Sequence, residues 1–220
     1  MCAVDNEIGQ TAAHTPTGGV CTVCGYDPGQ TNDYTIGDTG PAGGIIFYVS
    51  SSGFTMTGTT GTFHYLEVSA VDVLGGPSGS DVTMAWTISA SPIITGTSGT
   101  IGSGKNNTTL IIAGESASLP GNGYRYAARV CVEPSASSAQ NGWFGGKDDW
   151  FLPSIDELDL LFDSQVDLDI TLPKAYWSST QNDVEDKTSD VLVVDFKDGE
   201  HYSIGKTNFQ NVSVRAIRAF

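Results

Sequence analysis

Cys2, Cys21 and Cys24 crowd the start of the chain, the last two as a Cys-Thr-Val-Cys pair, with His14 between them. Thiolates and an imidazole could hold zinc, because C-x-x-C supplies half of a tetrahedral site. The Cys2 and His14 half is irregular, so a disulfide is the leading expectation and zinc the lesser one. The absence of a βαβ pattern around the pair argues against a thioredoxin-like redox role. Cys131 lies in the apolar run Ala-Arg-Val-Cys-Val and reads as packed in a short helix rather than reactive.

Other constellations carry less chemistry. Gly102-Ser103-Gly104-Lys105 lacks the spacing of a phosphate loop, and Asn106 follows the lysine where Ser or Thr would bind magnesium, so nucleotide binding is rejected. Asp156, Glu157 and Asp159 could be mistaken for an acid–base pair. A solvated helix face and the helix dipole account for most of them. His64, alone in a strand, reads as packed or hydrogen-bonded. Cys131 and the three histidines sit in unrelated contexts, with no Ser-His-Asp or Cys-His set, so the chain is read as no enzyme and no cofactor is expected.

The elements that must carry these residues are legible. Gly44–Val49 and Phe63–Val68 read as strands, and Thr83–Ile88 as a short strand or a packed loop. Ile101–Ala113 reads as glycines followed by a helix, with Asn106 and Asn107 as caps. Ser154-Ile-Asp-Glu157 is a capping box after Pro153, opening a helix whose Ile155, Leu158, Leu161 and Phe162 share one face. Ala175–Ser179 starts a strand. Val191–Phe196 and Glu200–Ile204 form a hairpin about Asp198-Gly199. Val212–Phe220 reads as one last strand. Its alternation buries Arg215 or Arg218, with Glu157 or a neighbouring acid as the expected partner.

Composition narrows the function. A net charge of −15, with fifteen of 25 acids between Asp148 and Glu200 and no arginine there, makes nucleic acid a poor partner. It also opposes docking on anionic membranes. No run of about 18 apolar residues is present, so membrane insertion is not expected. The excess acid serves solubility; a sharper reading has some carboxylates binding cations or accepting hydrogen bonds from sugar hydroxyls. Residues 1–33 lack periodicity and read as an arm; 34–220 are long enough for one domain with its own core.

Seven segments, in this order, resemble a known family: YTIGDTGPAGGIIFYV, YLEVSA, IGSGKNNT, AARVC, DDWFLPSIDELDLLF, YWSS and VRAIRAF. The family is the C-terminal domain of the Legionella collagen-like adhesin with its bacterial and phage relatives. The resemblance implies an α+β, C-type-lectin-like fold with a small antiparallel sheet, two flanking helices and long loops. That fold is similar to formylglycine-generating enzymes and to the variable proteins of diversity-generating retroelements. It also implies a ligand surface from Thr180 to Asn211, after the YWSS strand. The contact candidates there are Gln181, Asn182, Asp183, Glu185, Asp186, His201, Tyr202, Asn208, Phe209 and Asn211, a mixture of side chains suited to adaptable binding. The implied partner is a host or cell-surface glycan or protein. The implied setting is the cell surface or extracellular space, with a virion tail as the alternative and a homotrimer as a further expectation.

The chain departs from its relatives in two ways. The adhesin's sulfated glycosaminoglycans call for a basic patch that this acidic sequence does not offer. Glu133-Pro134-Ser135 and Gln181-Asn182-Asp183 only echo the calcium motifs of true C-type lectins and flank the best helix in the wrong arrangement, so calcium is not indicated. The alternatives to recognition are an oxidoreductase like the formylglycine generators, which needs a reactive cysteine pair, or a structural tip or assembly module of a fibre.

Overall fold

The computed structural model describes residues 34–73, 83–88, 94–118, 125–132, 146–165, 168, 174–182, 190–208 and 212–220. The chain divides into Met1–Asp33 and Tyr34–Phe220, and every described residue belongs to the second unit. Cys2, His14, Cys21 and Cys24, named for the disulfide and zinc readings, lie outside the described residues.

Two β-branched and aromatic runs pair antiparallel as β1 (Ile45–Phe54) and β2 (Phe63–Val68). Strand β7 (Ile217–Ala219) joins the free edge of β2, giving a sheet ordered β1-β2-β7. The second sheet is ordered β5-β4-β3-β6, from β3 (Ala175–Gln181), β4 (Asp190–Asp195), β5 (His201–Gly205) and β6 (Val212–Ser213). Its β3–β6 pair is parallel. Among the described residues three helices accompany them: α1 (Gly104–Ser118), α2 (Ala127–Val132) and α3 (Ile155–Ser164). The described architecture is α+β, with two sheets rather than one small antiparallel sheet.

Strand alternation gives the second sheet two apolar faces, and each has its own core. Trp177, Val191, Val193 and Val212 pack with Ile111 of α1 and Ala127, Val130 and Cys131 of α2. Tyr176, Val194 and Phe196 face the other way, onto Ile155, Leu158 and Leu161 of α3 and Leu66 and Ile217 of the first sheet. Burying each such side chain contributes about 1.5–3 kcal/mol, so a sheet covered on both faces is a stiff platform. Thr83–Ile88 is a packed loop. Trp86 and Thr87 donate backbone N–H groups to the Lys206 carbonyl, Trp86 Nε1 donates to Ser178 O at 2.8 Å, and Trp177 Nε1 donates to Met84 O at 2.7 Å.

The last nine residues form two strands instead of one. After β6 the chain crosses between sheets, with Val214 O accepting from Val73 N and Ala216 O from Ser69 N, before β7 pairs with β2. Both arginines are thereby buried, and neither is held by Glu157. Arg215 Nη1 donates to Asp72 Oδ1 at 2.9 Å, and the same carboxylate takes Lys174 Nζ and the Tyr176 hydroxyl. Arg218 grips Asp149 with two bonds of 2.8 Å and reaches Glu67 at 3.3 Å. Glu67, fully buried, also accepts the N–H groups of Ala42 and Gly44, so the glycine turn before β1 is moulded around a carboxylate. Asn106 and Asn107 lie inside α1 rather than capping it; Asn107 is buried and its amide ties Ser98 to Ser179.

Candidate functional site

The expected ligand surface begins where β3 ends, and its first two members are taken up by the framework. Gln181 and Asn182 are only 3% and 8% exposed. The Gln181 side-chain oxygen accepts from Ile94 N at 3.1 Å, and Asn182 N donates to Asp190 O, closing β3 onto β4. They are corrected here from surface contacts to framework residues. The cause is the register: Gln181 still pairs with Val191, so β3 runs two residues beyond the YWSS stretch. Asp183, Glu185, Asp186, Phe209 and Asn211 lie outside the described residues.

His201, Tyr202 and Asn208 are exposed, on and just after β5. The β4–β5 hairpin places them through a tight Asp195–Gly199 turn. Gly199 adopts φ +78°, its N–H meets Asp195 O at 2.7 Å, and a Cβ there would stand 2.6 Å from the Phe162 ring. Only glycine suits that backbone and that approach. The turn is thus seated on α3, and the strand it starts is held in register by five pairs, Asp190↔Gly205 to Val194↔His201.

Successive residues of β5 point to opposite faces of the sheet. His201, opposite Val194, meets α3: its Nε2 lies 2.6 Å from Asp159 Oδ1, with both side chains about two-fifths exposed. Burial and the neighbouring Asp159 raise the Asp156 carboxyl, while His201 acts in the opposite sense. Tyr202, opposite Val193, stands on the other face, where partial burial and then the Asp195 and Asp198 carboxylates push its phenol up. The hairpin edge therefore carries an imidazole and a phenol set among four acids. This is a hydrogen-bonding surface of strongly negative potential. Asp159 and Asp156 were missing from the expected contact set. The available signal was their i, i+3 spacing, which puts both on one face of α3.

Cys131 does not meet the demands of thiol chemistry. It is fully buried in α2, its Sγ donates to Ala127 O, and burial pushes the thiol far up. A reactive thiol needs the opposite environment. Among the described residues no group of three His, Cys, Asp or Glu side chains is placed to hold a metal ion, and no helix is long and apolar enough to cross a membrane.

An α+β framework with buried ion pairs, presenting a polar and aromatic hairpin edge, is the class that fold and site define. The family model described as the Lcl C-terminal domain matches residues 82–218, well over half of the chain. The protein belongs to the Lcl C-terminal domain family, an adhesin-associated domain, as the seven motifs indicated. Comparison with curated proteins finds no match.

Proposed function

We propose that Tyr34–Phe220 is a noncatalytic recognition domain of a surface-displayed protein, with a C-type-lectin-like framework that meets a cell-surface glycan or protein at the β4–β5 edge. The observation that carries this reading is the contrast between the two parts of the second sheet. Its central strands are buried on both faces, while His201 and Tyr202 stand exposed on the outermost strand. Rigid support beneath exposed aromatic and polar groups lowers the ordering cost of binding. Asp183, Glu185, Asp186, Asn208, Phe209 and Asn211 belong to the same proposed surface; Gln181 and Asn182 do not.

The buried, inert Cys131 favours recognition over an oxidoreductase, which would need a second thiol beside it. The test is a glycan and host-protein array read with the wild-type chain and with His201→Ala/Tyr202→Ala. Losing two exposed side chains at the centre of a contact should weaken the best hit by at least about tenfold, with the thermal melt unchanged. Equal binding by the two proteins places the ligand elsewhere. Copper-dependent thiol oxidation by the wild-type chain would replace the recognition reading with the enzymatic one.

A further inference from the structure

A cleft of about 220 Å³ lies between α1 and the segment 148–151, well away in sequence from the hairpin. Its walls are held in place. Thr108 Oγ1 of α1 donates to Gly104 O at 2.8 Å and accepts from Leu152 N at 3.0 Å, and Phe151 exchanges both backbone hydrogen bonds with Ile217. Trp150 and Phe151 are buried at its floor, and Ile112 and Val132 supply half-buried aliphatic wall.

Two oppositely charged side chains line this cleft, Lys105 and Asp148. Neither makes an ion pair or a side-chain hydrogen bond with any described residue, in contrast to Lys174, Arg215 and Arg218. The third charge in the lining, Asp149, is satisfied, since both its oxygens are held by Arg218. What remains is one cation, whose charge also acts on Asp149, and one anion, neither with a hydrogen-bonded side-chain partner among the described residues. A ligand with a single charge would satisfy one and leave the other facing it. A ligand with both charges satisfies the two together by charge-assisted hydrogen bonds. The volume is below the roughly 300–1,000 Å³ of sites for drug-sized molecules, so the ligand is small.

We infer that the cleft binds a free α-amino acid, its carboxylate on Lys105, its ammonium on Asp148 and an aliphatic side chain against Ile112 and Val132. The inference is independent of the hairpin surface, and its failure leaves that reading untouched.

The test uses the full chain with L-valine and L-leucine as probes, followed by saturation-transfer NMR and calorimetry. N-acetyl-L-leucine amide, which lacks both charges, is the control. The free amino acid should bind and the capped one should not. Lys105→Met and Asp148→Asn should each weaken binding by at least about tenfold, and the exchange Lys105→Asp with Asp148→Lys should restore much of it. Asp148 is exposed and Lys105 only half-buried, so unchanged melts are expected for all variants. The inference is overturned if neither amino acid binds at millimolar concentration, or if the single variants bind as the wild type does. It is equally overturned if a methyl glycoside occupies the cleft in their place.

Discussion

Glu157 sets the sharpest contest between two physical effects in this molecule. It is the third residue of α3, fully buried, and its carboxylate accepts Ser154 N at 2.7 Å and Gly102 N at 2.8 Å, with Gly104 N as a further donor. Those donors favour the charged form, as the two helix N-termini also do. Desolvation opposes them and prevails, pushing the carboxyl from 4.5 up to about 7. A raised folded value means that the folded state holds its proton where the unfolded state has released it. The stabilisation is therefore complete below pH 4.5, declines as pH rises, and is gone above about 7. A shift of that size corresponds to on the order of 3 kcal/mol. The assay is urea unfolding of the wild type and Glu157→Gln between pH 4.5 and 8. The glutamine cannot titrate and turns an amide N–H toward backbone donors, so it costs a roughly constant amount. The wild type's advantage over it should shrink by on the order of 3 kcal/mol across the range. An advantage that stays flat or grows with pH would refute the reasoning. It would mean that the backbone donors outweigh burial and the group is charged throughout.

Two further outcomes follow from the buried acids. Arg218→Met removes the only cation that holds Asp149 and Glu67 among the described residues, and should cost about 3–5 kcal/mol by urea unfolding; a cost below about 1 kcal/mol would show both carboxylates to be solvated or protonated. Gly40→Ala drives a Cβ to 2.4 Å from the Glu67 carboxyl carbon and should cost about 1–3 kcal/mol. In a Glu67→Ala background the same substitution should cost less, because the three heavy atoms nearest that Cβ all belong to the Glu67 side chain.

How much was legible in the sequence depended on the range of the interaction. The Ser154–Glu157 capping box lies within four residues, and both of its bonds are present. The hairpin turn at Asp198-Gly199 is equally local, and so is the β-branched and aromatic composition that marks β1 and β2. The arginine partners are not local. Arg218 meets Asp149 and Glu67 at separations of 69 and 151 residues, and nothing near Arg218 encodes that choice. Glu157 or a neighbouring acid was the expected partner, yet the Glu157 oxygens are committed to backbone donors. The terminal strand failed for a related reason. Alternation over Val212–Phe220 is continuous in sequence, while the chain changes sheets at Val214–Ala216 and both arginines end up inside.

The change of sheet also bears on where the proposed recognition surface can sit. Crossing between the sheets buries Arg215 and Arg218, and each then needs a carboxylate from a distant loop: Asp72 from the end of β2, Asp149 from the entry to α3. These bonds fasten the connecting loops to the segment that crosses from one sheet to the other. Breaking any of them leaves a buried charge uncompensated, so these acids are not available to a ligand. The acids of the hairpin edge are under no such demand. Among the described residues, Asp195 and Asp198 hold only the backbone of their own turn, and Asp159 only an exposed histidine. Within one strongly acidic chain, burial sorts the carboxylates into those that hold the fold and those free to meet another molecule. Total charge cannot make that distinction; the burial of each carboxylate can.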